Sequence, residues 1–340
     1  MKFGVVYDFR NPKQWRRPYA ELYAAMLDQA AMLDDLGYDN VWLTEHHFVD
    51  DGYNPAVLPT AAAIAARTRK IRIGTFVLLL PFHDPVRVAE DAVCVDILSG
   101  GRFDLGVGQG YRAEEFAAFK LARAERSARL AEGVELIRRL WTEERVSFAG
   151  KFKQVEAMSL HPKPVQQPHP PIWIGARTEK AARRAARLGH NLLATIGPDP
   201  AIPYRAELQA LGRDPGKFSI AQLRVVYVAE SADRAWGDIQ EHLHYMMGEY
   251  AQWLGEANDV SSDQAVWELR RPEDLRTSPY AAHLMVGTPA DCIAKFKAYS
   301  RRYACTHLIM ATQMPGMDPA KSRRSLELFA REVRPRLAGL

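Results

Sequence analysis

Eight short apolar runs, rich in β-branched residues, alternate with longer amphipathic segments along the whole of this 340-residue chain. The runs occupy residues 3–7, 40–44, 71–80, 103–107, 172–175, 191–196, 220–228 and 306–311. A strand buried on both faces reads as a near-continuous apolar run. Strands separated by helical segments imply βαβ units and a parallel sheet. The helical segments are 19–36, 55–68, 85–98, 125–141, 179–188, 201–211, 232–250 and 289–303, with a last one at 318–331. In the first, Leu22, Met26, Ala30 and Leu33 fall on one face, the spacing of a single buried stripe, and Gly37 ends it. Pro85 and Pro289 stand in first turns, where proline is favoured. Eight strand–helix pairs predict an α/β fold: a (β/α)8 TIM barrel, one domain over residues 1–340. A doubly wound sheet is the alternative. No GxGxxG follows the first strand and no composition shift marks a midpoint, and both weigh against it.

Two stretches depart from the minimal barrel. Residues 146–171 read as an excursion of short strands followed by a Pro-rich loop, HPKPVQQPHPP. Residues 248–285 read as a long polar insertion, a candidate lid or a packing excursion.

A hydrophobic fraction of 47% supports a large core. The net charge of +4 is spread along the chain, and its densest run, Arg183, Arg184 and Arg187, reads as a solvated helix face rather than a nucleic-acid patch. The three cysteines, Cys94, Cys292 and Cys305, form no CxxC, which suits a reducing compartment and argues against a disulfide framework. The opening MKFGVVYDF is too short an apolar stretch for a signal peptide, and no run reaches the length of about 18 apolar residues that spans a bilayer. A cytoplasmic protein with no nucleic-acid and no membrane partner is expected.

Chemistry on such a barrel belongs at the C-terminal ends of its strands. The second run ends in Thr44-Glu45-His46-His47-Phe48, a carboxylate and two imidazoles suited to proton transfer. Adjacent histidines on extended chain point to opposite faces, so no metal site is expected. No other strand end supplies an obvious His or carboxylate cluster. The fourth run leads into Gly106-Val107-Gly108-Gln109-Gly110-Tyr111, whose small residues let a planar ring or a phosphate chain approach the backbone. The fifth exits through Gly175-Ala176-Arg177-Thr178 straight into a helix. Backbone N–H groups there, with a hydroxyl and an Arg, make an anion site; alternatively Thr178 is simply an N-cap. His83 reads equally as a substrate-facing group or a turn residue. His161, His169, His242, His244 and His283 carry no pattern, and Tyr245, Trp253 and Trp267 read as packing residues or as the lining of an apolar pocket.

The segment EHHFVDDGYNPAVLPTAAAIAARTRKIRIGTFVLLLPFHDPVRVAEDAVCVDILSGGRFDLGVGQGY is similar throughout to the bacterial luciferase-like flavin monooxygenases. PPIWIGARTEKAARRAARLG, VGTPADCIAKFKAYSRRYACTHLIM and LELFAREVRPRL extend the resemblance over nearly the whole chain. It implies FMN, bound with its ring near the strand mouths, and a catalytic role for His46 with Glu45 beside the flavin. It also implies a non-proline cis peptide at Phe76-Val77 beneath the ring. In luciferase a reactive Cys and then a phosphate-contacting Arg occupy positions that here are Gly108 and Gln109, so a flavin–thiol contact is excluded and one phosphate cation is missing. Arg177 and Thr178 match other phosphate contacts of the family; Arg126 lies within one or two residues of the family's other phosphate Arg, or is a solvated-face residue. The expectation is a two-component monooxygenase: reduced FMN arrives from a separate NAD(P)H:flavin reductase and, with O2, oxidises a small organic substrate. No NAD-binding segment is visible, which agrees with an external reductase. The alternatives are an F420-dependent hydride-transfer enzyme of the same superfamily, a non-catalytic flavin-binding protein, and, on fold alone, a hydrolase. Luciferase pairs through helices flanking the second and third strands, and the matching small-residue segment 60–66 (TAAAIAA) implies a homodimer.

Overall fold

The eight apolar runs become eight parallel strands because each is covered on both faces. A computed structural model describes residues 1–195, 199–257 and 270–338. We number the barrel strands β1 (Lys2–Tyr7), β2 (Asn40–Leu43), β3 (Arg72–Thr75), β4 (Phe103–Gly108), β5 (Ile172–Ala176), β6 (Asn191–Ala194), β7 (Ile220–Val228) and β8 (His307–Ala311). Each pairs in parallel with its sequence neighbour, and β8 closes on β1 with Phe3 opposite Leu308. The result is a closed (β/α)8 TIM barrel, which has no free main edge. A short strand, Met285–Gly287, adds to the outside of β7.

Among the described residues, these helices surround the barrel: α1 (Tyr19–Asp35), α2 (Val57–Arg67), α3 (Pro85–Ser99), α4 (Ala113–Ala118), α5 (Arg126–Thr142), α6 (Glu179–Leu188), α7 (Ala201–Ala210), α8 (Ala232–Glu256), α9 (Pro289–Arg302) and α10 (Pro319–Leu328). Their ends carry sequence-legible signals. Asp84 caps α3 by accepting from the Val86 N–H, Pro85 opens it, and Gly100 closes it at φ 65°. A full capping box, Thr288 with Asp291, starts α9.

Four expectations are amended. The third run is interrupted: β3 stops at Thr75, the Phe76-Val77 peptide is cis, and pairing resumes against β4 at Leu78–Leu79. β6 ends at Ala194, and Ile196 lies outside the described residues. The segment 248–285 does not begin as irregular chain, because α8 continues to Glu256, where the apolar stripe of Ile239, Leu243 and Met247 extends through Trp253 and Leu254. A helical turn, Asp274–Thr277, and a 3-10 turn, Pro279–His283, follow; residues 258–269, Trp267 among them, lie outside the described residues. The helix α4 was not anticipated at all. The excursion after α5 does form a two-stranded antiparallel hairpin, Val146–Ala149 with Gln154–Met158. Among the described residues no helix is long and apolar enough to cross a membrane.

The barrel interior is filled by large side chains that need small neighbours. Trp42 on β2 is fully buried and meets Trp173 on β5 edge-on at 5.5 Å. A Cβ on Gly74 would stand 2.3 Å from the Trp42 ring, so the strand next door can carry only glycine there. Gly74→Ala is expected to cost about 1–3 kcal/mol through overpacking. Gly237→Ala, on α8 with no atom within 4 Å of the added carbon, is expected to stabilise by up to about 1 kcal/mol. Thermal melts of the two variants should shift in opposite directions.

Candidate active site

The second strand delivers its three chemical residues to two separate networks. Glu45 is buried, and its Oε1 accepts from Nε2 of His47 and Nε2 of His83, each at 2.7 Å. Its Oε2 accepts from the Leu79 backbone N–H at 3.2 Å. Burial alone would raise the Glu45 carboxyl; the hydrogen bonds from His47 and His83 outweigh it and hold the group below its ordinary value. Burial likewise works against His83, and the bond to Glu45 overrides it, raising the imidazole. His83 is therefore a partner of Glu45 rather than only a turn residue.

His46 turns the other way. Its Nδ1 lies 2.8 Å from Glu115 Oε1, and the same oxygen accepts from the His47 backbone N–H at 2.9 Å. Glu115 is fully buried on α4, with Arg112 Nη1 at 3.7 Å. On the far side of the ring, His46 Nε2 faces the Tyr111 hydroxyl at 3.3 Å. Burial holds the Tyr111 phenol far above its ordinary value, so it stays a donor. With Nδ1–H donating to Glu115, Nε2 is left as the acceptor. Glu45 thus does not orient His46; Glu115 does. This corrects the expectation that no other strand end contributes a carboxylate.

Aromatic rings close over His46. Tyr53, Trp253 and Tyr111 lie 4.9, 5.2 and 5.4 Å from it, and Tyr250 at 6.5 Å. Trp253 and Tyr250 come from the C-terminal end of α8, the stretch expected to be irregular. Trp253 also lies under Arg112, whose Cζ is 4.6 Å from the ring centroid. Beside them Arg10, buried after β1, donates from Nε to Asp51 at 2.5 Å, and Tyr245 donates to the same carboxylate at 3.1 Å.

The remaining predicted residues gather on the β4–β5 side of the mouth. Val77 lies between two glycines: a Cβ at Gly108 would stand 2.4 Å from it and one at Gly175 3.0 Å. Phe76 and Ala176 are buried beside it. Gln109 accepts from Ser127 Oγ at 2.7 Å, and Ser127 in turn accepts from Arg184 Nη1 at 3.0 Å. Arg184 has no hydrogen-bond partner at Nε or Nη2 among the described residues. Burial, and then the like charge of nearby Arg126, lower its basicity. Of the basic run, Arg183 and Arg187 do form a surface face, paired with Glu207, but Arg184 turns inward. Thr178 caps α6 through Ala181 N–H at 3.3 Å, and Arg177 stands 5.8 Å over Tyr111.

Sequence reasoning missed Arg10, Tyr53, Tyr111, Arg112, Glu115, Ser127 and Arg184. A signal existed for Arg184 alone: it lies three residues after buried Ala181 and joins that helix face. The histidines His242 and His169 bond backbone carbonyls, of Pro315 and Pro170. Glu45, His47 and His83 bring three ligand-type atoms within 4.8 Å of one another, a set that could hold a metal ion, yet their mutual hydrogen bonds satisfy them without one.

A closed parallel barrel with a buried His46–Glu115 pair and an arginine with unmet donors among the described residues at its C-terminal mouth has the architecture of a TIM-barrel enzyme. More narrowly, the chain belongs to the luciferase-like monooxygenase family, whose sequence model matches residues 1–305. It is 34% identical to an F420-dependent glucose-6-phosphate dehydrogenase of Nakamurella multipartita, over 93% of each chain. It is 26% identical to the oxygenase component of a flavin-dependent trigonelline monooxygenase of Acinetobacter baylyi, over 93% of this chain and 90% of that one. Among solved structures, monooxygenase RslO1 of Streptomyces bottropensis superposes with a TM-score of 0.82 at 29% identity, covering 99% of this chain and 100% of that one. The protein is an oxidoreductase of this superfamily.

The Glu45 network sets a pH window. His83, raised above 6.5, contributes stability that is fully present below that value and is lost as pH climbs through the raised one. Glu45, lowered from 4.5, contributes stability present above that value and lost as pH falls through the lowered one. In a histidine-resolved NMR titration, His83 should titrate above 6.5. In Glu45→Gln the bond and charge that outweigh burial are lost and only the weaker pull of Asp91 opposes it, so the midpoint should fall. An unmoved midpoint would show that Glu45 does not govern His83.

Proposed function

We propose that this chain is an FMN-dependent monooxygenase of the two-component kind, taking reduced FMN from a separate NAD(P)H:flavin reductase and using O2 to oxidise a small organic substrate. The observation that carries the reading is Arg184: a half-buried side chain, anchored by Ser127, whose Nε and Nη2 are shielded from solvent and unmet among the described residues, with Arg126 pressing like charge upon it. A terminal phosphate, doubly charged and rich in acceptors, fits such a corner. Thr178 and the N–H groups of the first turn of α6, with Arg177, would complete the phosphate site. Phe76, Val77, Gly108, Gln109, Gly175 and Ala176 would form the wall against which the ring lies. Gln109 supplies no charge there, and Arg184 replaces the cation that the family carries at that position. The name of the Acinetobacter relative, an oxygenase component, supports the two-component reading.

Bound in its reduced form, FMN supplies the activation of O2. The chain's own residues hold the protons. His46 Nε2 accepts or returns a proton at the mouth, and Glu115 at Nδ1 stabilises the imidazolium that forms. Tyr111 donates toward the same Nε2 and holds the ring in place. Tyr53, Tyr250 and Trp253 keep water from the site, which strengthens every charge interaction within it. Glu45 ties His47 and His83 to the loop behind the flavin wall. Hydride transfer with F420 is the second reading, favoured by the 34% identical Nakamurella relative. We further propose a homodimer formed through α2, where Ala62 and Ala63 are half-buried and Ala66 is exposed.

Anaerobic titration of the protein with reduced FMN, reduced riboflavin and reduced F420 separates these readings. FMN should bind most tightly. Arg184→Gln should weaken FMN by about 10–100-fold and leave riboflavin, which has no phosphate, unchanged. With oxygen and substrate, His46→Ala should lower turnover by about 10²–10⁴-fold. Preference for F420 with no oxygen uptake would replace the monooxygenase by a hydride-transfer enzyme. A sedimentation mass of one chain would remove the dimer.

A further inference from the structure

We infer that the substrate is a flat ring bearing a carboxylate, which Arg10 holds across the mouth from His46. The inference rests on the flavin reading above and deepens it by naming a substrate class.

Phe9 takes φ 59°, a left-handed turn at the end of β1, and Arg10 follows with its backbone N–H on Asp8 Oδ1 at 3.1 Å. The guanidinium is 2% exposed. Its Nε is committed to Asp51, whereas Nη1 and Nη2 are buried without a hydrogen-bond partner among the described residues. Glu249 stands 3.9 Å from Nη2, beyond hydrogen-bond reach. Buried donors of a charged group are costly to leave unmet, so this edge is built for an acceptor.

The walls around that edge are aromatic. Trp253, Tyr53, Tyr245 and Tyr250 have ring centroids 5.2, 5.3, 5.3 and 5.8 Å from Arg10 Cζ. Three of these rings, Tyr53, Tyr250 and Trp253, are also neighbours of the His46 ring. One aromatic box therefore has a guanidinium on one side and the acid–base histidine on another. The terminal edge of a guanidinium matches a carboxylate with two parallel N–H···O bonds. Ring walls suit a flat ring, stacked or edge-on. Three carboxylates already lie near: Asp51, paired with Arg10, and Asp8 and Glu249. Burial pushes the Asp8 carboxyl up to about 6 and raises Glu249 as well, so an incoming anion meets less negative charge as pH falls toward 6.

Calorimetric titration with benzoate, 4-hydroxybenzoate and 2-naphthoate, each against its neutral carboxamide, tests this on FMN-free and FMN-loaded protein. The carboxylates are expected to bind about 10–100-fold more tightly than the amides. Arg10→Gln should erase that preference, Arg10→Lys should keep part of it, and FMN affinity should not change in either. Equal affinities, or no carboxylate binding by the unaltered protein, would overturn the inference. So would an Arg10→Gln protein that still prefers carboxylates. The unaltered protein decides by itself if the variants fail to fold. A carboxylate preference in a protein that binds no FMN would leave the inference standing and remove the flavin reading instead.

Discussion

Closure of the sheet is the constraint on which the rest depends. Once β8 pairs with β1, every strand has two neighbours and two covered faces. The strands can then be apolar throughout, and the interior has room for Trp42 only where an adjacent strand offers glycine. Charged and titratable groups that must be held in fixed positions are left the ends of the strands and the loops that follow them. That is where Glu45, His46, Gln109 and Arg177 stand, each within a few residues of the last ladder pair of its strand.

At that rim two buried carboxylates divide the work. A carboxylate taken out of water needs several donors to stay charged. Glu45 finds His47, His83 and the Leu79 N–H; Glu115 finds His46 and the His47 N–H. The consecutive histidines are thereby pulled to opposite sides of one loop. His47 becomes part of the support, and His46 keeps its Nε2 for the mouth. A single strand end yields an imidazole turned to the mouth together with the bracing that holds it.

The cations of the mouth follow a different rule. Many arginines of this protein are half of a surface ion pair, as with Arg183 and Arg187 on Glu207. Arg10, buried, and Arg184, half-buried, each leave two shielded donors unmet among the described residues. They lie in different parts of the rim, one joined through Ser127 to Gln109 after β4, the other enclosed by rings beside His46. Shielded guanidinium nitrogens with open edges are costly to leave unmet, and such edges suit anions.

The sequence by itself determined the barrel, since eight two-faced apolar runs separated by amphipathic segments have few other ways to be buried. It also marked the strand end bearing Glu45 and His46, because a carboxylate and imidazoles directly after an apolar strand have no packing purpose. It could not assign partners. His83 read equally as a substrate-facing group or a turn residue, Glu115 carried no reading, and Arg184 read only as one of three basic residues on a face. The stretch after Tyr250 read as irregular because its polar residues mask the stripe that carries α8 on to Trp253. Hydrogen bonds between residues 34 to 69 positions apart, such as Glu45 with Leu79 and His46 with Glu115, leave no local trace. Burial periodicity is a property of each segment and is written in its order of residues, whereas the meeting of side chains from different loops is decided only when the closed sheet fixes where those loops emerge.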